Sequence, residues 1–341
     1  MRIAIVNDLA LAREVLRRVV LGTPGNSVAW QAADGDEAVK AAALDRPDAI
    51  LMDLVMPKMD GADATRRIMQ VSPCPIIVVT ATVPGNFDLV YKAMGSGALD
   101  AIETPTLGPG STVLNGEKLA ERLRQLDLAL RGVHHSEPQS ESRPTSMSVE
   151  LPRLVGIGVS TGGPAALPVV LESLPRDFPA AILIAQHLDA HYIPGLAERL
   201  GTKCRLPVQT AKVGDVPQPG TVYLAHTDDH LELSPRLRLN YTPQPKSAPY
   251  RPSADVLFSS LAVHSPRPGV AVLLTGMGTD GAEGLLRLRR LGWHTIAQDE
   301  STCVVYGMPR AAVELGAAVE VLPLPLIGPA ILSVLKSKSL G

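Results

Sequence analysis

Gly158-Val159-Ser160-Thr161-Gly162 sets a serine between glycines, directly after the apolar run 154–158. This is the G-x-S-x-G pattern, a sharp strand-to-helix turn that lifts a serine hydroxyl out of a parallel sheet. Small neighbours are needed because the backbone there is crowded and its dihedrals are unusual. The free N–H groups of the helix that follows suit an oxyanion. Nucleophilic hydrolysis at Ser160 is therefore the first chemistry to consider. Two other readings stand beside it. The run is a near miss for the dinucleotide fingerprint G-x-G-x-x-G, with Thr161 at the third glycine, and Gln186 and His187 lie where a ribose-binding acid is expected. A glycine-rich turn with no chemistry is the third.

A serine nucleophile needs a base, and the base needs an orienting carboxylate. Of His187, His191, His226, His230, His264 and His294, only His187 directly follows a buried parallel run, 180–186. That puts it on the same sheet edge as Ser160. The apolar run 270–275 leads into Gly276-Met277-Gly278-Thr279-Asp280-Gly281. Glycines there let the chain bend back and carry Asp280 over that edge. Asp280 can instead cap a helix over 282–291, and the two roles are compatible. Met277 stands at the crest of the loop, where its N–H is a candidate oxyanion donor. The order serine, histidine, acid differs from that of α/β-hydrolases, in which the histidine comes last.

A second constellation lies nearer the N-terminus. In an open parallel sheet, ligands sit beyond the C-terminal strand ends. Those ends carry Asp8, Asp53 and Thr80. Two carboxylates and a hydroxyl on one edge suit Mg²⁺, and a metal beside a carboxylate helps it accept a phosphoryl group. Taken singly, each acid is an ordinary loop or cap residue.

These groups need a scaffold. Apolar runs at 3–6, 28–33, 49–52, 76–80 and 98–102 alternate with amphipathic stretches such as 9–20 and 37–44, and a helix is expected over 116–130. Such βα alternation predicts a parallel sheet covered by helices on both faces. The polar stretch HHSEPQSESRPTSM at 134–147 reads as a linker, which we bound at 131–150. A second α/β pattern fills 151–341, with runs at 154–159, 180–185, 221–225 and 270–275 and a hairpin pairing 231–233 with 237–239. The fold class is thus α/β in both parts.

Composition narrows the options. The 341 residues are 45% hydrophobic and 19% charged, with net charge −2, which describes a soluble globular chain with no bias towards nucleic acid. At 3% aromatic content, a base-stacking platform is not expected. Cys74, Cys204 and Cys303 have no metal or disulfide spacing and read as buried thiols. No leader peptide or membrane span is expected, which predicts a cytoplasmic location.

The N-terminal part, 1–130, resembles a two-component receiver in Asp53, Met56-Pro57, Asp60-Gly61 and Thr80-Ala81. The resemblance implies a flavodoxin-like (βα)5 fold and phosphorylation of Asp53 by a histidine kinase. It also implies Mg²⁺ held by Asp8 and Asp53, with Thr80 contacting the phosphoryl group. Three positions depart from the receiver pattern. Asn7 replaces an acid, Thr104 before Pro105 replaces a lysine, and Ala101 fills an aromatic switch position. Loss of the lysine removes a cation that would pair with the phosphoryl group, so weaker coupling to shape change is expected.

The C-terminal part resembles the protein-glutamate methylesterases of bacterial chemotaxis. The matching motifs are Gly158-Val159-Ser160-Thr161-Gly162-Gly163, Gln186-His187, Arg251-Pro252-Ser253-Ala254-Asp255-Val256, Leu274-Thr275-Gly276-Met277-Gly278-Thr279-Asp280-Gly281 and Val305-Tyr306-Gly307-Met308-Pro309. The resemblance implies a doubly wound, mostly parallel sheet with Ser160 as nucleophile, His187 as base and Asp280 as its partner. It also implies demethylation and glutamine deamidation on the cytoplasmic helices of methyl-accepting chemoreceptors, with no cofactor for hydrolysis. The protein would be peripheral to membrane-bound receptor arrays. Asn7-Asp8, Ala64-Thr65-Arg66-Arg67-Ile68-Met69, Ser72-Pro73-Cys74 and Thr104-Pro105 look most like the Wsp-type chemosensory branch. An unphosphorylated receiver is expected to inhibit, so that removal of 1–147 raises activity. The rival reading is a non-catalytic receptor-docking regulator. A transcriptional regulator would need a basic helix-turn-helix signature, which is absent.

Overall fold

The computed structural model describes residues 1–81, 87–131 and 152–337, and all elements and counts below refer to these. The chain divides into two units, Met1–Val133 and His134–Gly341. Apart from Arg131 the expected linker, 131–150, lies outside the described residues.

The first unit holds strands β1 (Arg2–Val6), β2 (Ser27–Ala32), β3 (Ala49–Met52), β4 (Ile76–Thr80) and β5 (Asp100–Glu103), with helices α1 (Ala10–Gly22), α2 (Gly35–Leu44), α3 (Gly61–Val71), α4 (Phe87–Gly95) and α5 (Gly116–Arg131). The sheet is parallel in the order β2-β1-β3-β4-β5, the flavodoxin-like arrangement. Central strands need apolar residues on both faces, and Ile3, Ala4, Ile5, Val6, Ala49, Ile50, Leu51 and Met52 are all fully buried. β1 lies between β2 and β3, so strand order reverses there and a crevice opens beyond the ends carrying Asn7, Asp8 and Asp53. Asp60 caps α3 by accepting from the Asp63 amide at 2.7 Å. A side chain at Gly61 would overlap the Asp53 carbonyl, so glycine lets α3 start against the acidic pocket. The sequence did not reveal the short hairpin β6 (Thr106–Leu107) and β7 (Val113–Leu114) between β5 and α5.

The second unit is built on β8 (Arg153–Val159), β9 (Ala180–Gln186), β10 (Val208–Thr210), β11 (Val222–Leu224), β14 (Val270–Leu273), β15 (His294–Gln298) and β16 (Glu320–Leu322), with the antiparallel pair β12 (His230–Leu233) and β13 (Leu239–Thr242) outside the main sheet. Its helices are α6 (Gly163–Glu172), α7 (Ile193–Lys203), α8 (Ala254–His264), α9 (Ala282–Arg290), α10 (Met308–Glu314) and α11 (Leu324–Ser337). The seven parallel strands run β10-β11-β9-β8-β14-β15-β16. β8 is the switch strand: the chain winds one way through β9 and the other through β14. Two details differ from expectation. Leu237 is a turn residue with φ of 58°, and the second hairpin strand starts at Leu239. The strand expected over 270–275 ends at Leu273, which leaves Thr275 to bond side chains.

Gly156 and Gly158 explain how α8 seats on the sheet. A Cβ on Gly158 would lie 2.6 Å from the Ala254 Cβ, and one on Gly156 would lie 2.9 Å from Leu261 Cδ1. The glycines in G-I-G thus let α8 press Phe258 and Leu261, both fully buried, against β8. This use of the two glycines is helix packing, which removes the basis of the dinucleotide reading.

Candidate active site and acidic pocket

Ser160 follows β8 and His187 follows β9. The strands pair in parallel with Val159 opposite Gln186, so serine and histidine are the next residues on neighbouring strands. The His187 amide donates to the Val159 carbonyl at 3.0 Å, which extends the ladder to the edge of the site. On the other side of β8, the Ser160 amide donates to the Thr275 carbonyl at 3.1 Å. Ser160 is therefore held between the two halves of the sheet. Gly162 takes φ of 85°, a left-handed turn that suits glycine, and starts α6. The Gly163 amide turns back to the Ser160 carbonyl at 2.9 Å.

Two buried glutamines lock this edge. Gln186 Nε2 donates to the carbonyls of Ser160 (3.0 Å) and His187 (3.1 Å). Gln298 Oε1 accepts from the Thr275 amide at 2.8 Å, and Thr275 Oγ1 donates to the Thr161 carbonyl at 2.9 Å. Each is the last residue of its strand, where a long amide side chain can reach two loops at once. Both are fully buried, so their bonds act in a medium that excludes competing water.

Asp280 arrives from the loop after β14. Its Oδ2 lies 2.7 Å from His187 Nε2. The same carboxylate accepts from Ser253 Oγ at 2.6 Å, the Ala254 amide at 2.6 Å and the Asp255 amide at 3.3 Å. Asp280 thus sits at the N-terminus of α8, whose partial positive charge favours an anion. Here the alternative reading needs correction. Asp280 does not cap the helix that follows it; the N-cap of α9 is Gly281, with no side-chain cap, and Asp280 caps α8 from across the site. Burial pushes Asp280 up, but hydrogen bonds from His187, Ser253 and Ala254 outweigh it and hold the acid below the ordinary carboxylate value.

An ionised Asp280 accepts from every neighbour, so His187 Nε2 must carry the proton that it shares with this carboxylate. Nδ1 then keeps its lone pair. Buried Nδ1 and buried Ser160 Oγ have no hydrogen-bond partner among the described residues, so serine and histidine are adjacent without a bond between them. One is an unused donor, the other an unused acceptor. Tyr250 stacks on the His187 ring at 4.3 Å with the planes 9° apart, which fixes the ring's orientation. Gly276 passes so close that a Cβ there would lie 2.7 Å from the Ser160 Cβ. Met277 is the next residue of that loop. The Thr161 hydroxyl is buried next to Ser160 and also has no partner among the described residues.

The first unit's pocket is simpler. Burial, with a further push from Asp8, raises Asp53 to about 6, against opposing bonds from the Leu54 and Val55 amides. Asn7 Nδ2 donates to Asp53 Oδ2 at 2.9 Å, and Asn7 Oδ1 accepts from the Leu9 amide at 2.9 Å. Both ends of Asn7 are therefore engaged, and Asp8 acts on Asp53 through its charge. No group of three metal-ligating side chains occurs among the described residues. Two carboxylates whose mutual repulsion and burial a cation would relieve fit Mg²⁺, which binds through one or two carboxylates plus water and phosphate. Thr80 is buried at the end of β4, beside β3, and its carbonyl accepts from the Thr104 amide at 3.1 Å.

The two units define a class: a receiver-type α/β sheet in one chain with an α/β unit whose switch-point edge carries serine, histidine and aspartate. The CheB methylesterase model matches 155–331, and the response regulator receiver domain model matches 3–107. The chain belongs to the CheB methylesterase family. It is 51% identical over 96% of its length to "Protein-glutamate methylesterase/protein-glutamine glutaminase 2" of Cupriavidus metallidurans, of which it covers 97%. It is 52% identical to the Burkholderia lata protein of the same name, with 98% of both chains covered. The crystal structure of the Thermotoga maritima CheB methylesterase catalytic domain matches at 35% identity with a TM-score of 0.51, covering 55% of this chain and all (100%) of that one.

Sequence reasoning gave no role to Tyr250, Thr275 or Gln298, and quoted Gln186 and Ser253 without one. Ser253 had a signal, a serine just before an apolar helical run. Tyr250 had none, since stacking on a ring 63 positions earlier leaves no local pattern.

Proposed function

We propose that the second unit hydrolyses γ-glutamyl methyl esters on chemoreceptors and deamidates receptor glutamines by the same acyl chemistry. The observation that carries this is His187, held by Asp280 through Nε2 and left with a free Nδ1 at the Ser160 edge. Ser160 Oγ attacks the ester carbonyl carbon as Nδ1 takes its proton. The tetrahedral oxyanion is stabilised by amides of the elbow and of Met277. The C–OMe bond then breaks, Nδ1–H protonates the departing methoxide, and methanol leaves. Water then attacks the acyl carbon as its proton passes to Nδ1, the C–Oγ bond breaks to free the glutamate carboxylate, and Nδ1–H hands that proton to Ser160. Asp280 balances the imidazolium in each half. With a glutamine, ammonia leaves instead.

Asp53 is the phosphoryl acceptor of the first unit, Asp8 and Asp53 hold Mg²⁺, and Thr80 contacts the phosphoryl oxygens. Mg²⁺ supplies neutralisation of charge on those oxygens. The phosphodonor is a chemotaxis-type histidine kinase, and phosphorylation relieves inhibition of the esterase. The site works in the cytoplasm; no described helix is long and apolar enough to cross a membrane.

The test is methanol release from methylated receptor membranes. Loss of release in Ser160→Ala supports the reading. Equal release in both proteins would move the search to another nucleophile, and no release from either, with or without a phosphodonor, would favour the docking role.

A further inference from the structure

Helices α8 and α9 cap each other. The α8 amides of Ala254 and Asp255, with the Ser253 hydroxyl, donate to Asp280, which lies just before α9. In return, Asp255 in the first turn of α8 accepts at Oδ1 from the Gly284 amide in the first turn of α9, at 2.7 Å. The Gly281 amide also bonds Asp255. The N-cap of α9 is Gly281, which has no side chain to offer, so Asp255 provides the acceptor that a capping residue would ordinarily supply. The helices are close enough for this because residue 284 is glycine; a Cβ there would lie 2.7 Å from the Phe258 Cβ.

We propose that Asp255 is a positioning residue for the esterase reaction: by capping α9 it fixes the loop from which Asp280 reaches His187. The proposal rests on the serine-hydrolase reading above. Gly281 joins Asp280 directly to α9, so a first turn that loses its acceptor can shift, and the Asp280 carboxylate shifts with it. The 2.7 Å bond to His187 is the contact at risk. Burial, then the charges of Asp280 and Glu283, push Asp255 up to about 8 against the Gly284 and Gly281 amides. Burial and the Asp280 charge thus favour the neutral form of Asp255, while Asp280, held below its ordinary value, keeps the negative charge that faces His187.

The experiment compares full-length Asp255→Ala and Asp255→Asn with wild type and Ser160→Ala, measuring kcat, KM and the pH profile of methyl-ester hydrolysis. Asn keeps a neutral acceptor, so kcat should stay within about threefold and the acid limb of the kcat/KM profile should not move. Ala removes the acceptor. Its kcat should fall roughly tenfold to a hundredfold with KM within about twofold, and its acid limb should move to lower pH as Asp280 draws away from the imidazole. An Ala variant that melts earlier but keeps kcat within twofold overturns the proposal, because Asp255 would then serve stability alone. A tenfold loss in Asn also overturns it. Should Ala not fold, Asp255→Ser, whose oxygen is too short to reach Gly284, takes its place. Hydrolysis surviving in Ser160→Ala would sink the hydrolase reading; hydrolysis lost there but unchanged in Asp255→Ala sinks only this inference.

Discussion

His187 Nε2 meets Asp280 Oδ2 at 2.7 Å, and this contact leaves Nδ1 as the ring nitrogen open to the proposed chemistry. In the Ser-His-Asp arrangement of chymotrypsin-like proteases the acid meets Nδ1 and the base is Nε2. Here the nitrogens exchange roles. β9 delivers His187 beside Ser160, whereas Asp280 comes from beyond β14, and the ring stacked on Tyr250 spans the gap with Nε2 towards Asp280.

Substitutions along this line should separate by role. Ser160→Ala should reduce hydrolysis to background. Asp280→Asn should lower kcat by about 10⁴, the scale seen when the orienting acid of a triad becomes an amide. It should also lower the melting temperature, because the α8 amides would lose their anionic acceptor. Steady-state kinetics with thermal melts would check both. A variant with full kcat would remove Asp280 from the relay.

Gly276→Ala should damage the site without touching a titrating group. The new Cβ would fall 2.7 Å from the Ser160 Cβ and closer still to the Met308 sulfur. Met308 can yield, since its side chain is flexible, but the backbone around Ser160 is bonded on both sides. Overpacking of this kind costs about 1–3 kcal/mol. The expected outcome is a lower melting temperature and at least a tenfold lower kcat.

Asp280 predicts acid lability in the second unit. Its folded pKa is depressed, so its contribution is present above the unfolded carboxylate value, near ~4, and is lost as pH falls through the lower folded value. Melting of the wild type should fall on acidification below about pH 4, and Asp280→Asn should flatten that slope. An unchanged slope would mean that other carboxylates dominate.

Asp53 has the opposite sign. Its value is raised to about 6, so stability is fully present below ~4 and declines as pH rises through about 6. Mg²⁺ should restore it, with a larger rise in melting temperature at pH 7 than at pH 5, and Asp8→Ala should shrink that rise. Asn7→Asp adds an oxygen ligand in place of the amide bonded to Asp53, and should tighten Mg²⁺ binding measured by calorimetry. Equal binding would show that residue 7 lies outside the ion's reach.

The sequence by itself determined the two parallel sheets, because strands buried on both faces must be continuously apolar, as 3–6, 49–52 and 180–185 are. It also placed Ser160 and His187 on the same sheet edge, since a residue just past a buried strand must emerge there; that their strands are neighbours came from the structure. It could not decide what the glycines were for. Gly156 and Gly158 fit a nucleotide fingerprint by spacing, and only the packing of Ala254 and Leu261 shows that they seat α8. Nor could it settle Asp280. Local rules make an acid before a helix that helix's cap; the tertiary structure turned it to another helix 26 residues earlier in the chain, where three α8 donors hold it against His187. Strand burial is written in neighbouring residues, whereas the partners of a carboxylate depend on which helix ends the fold brings within about 3 Å of it.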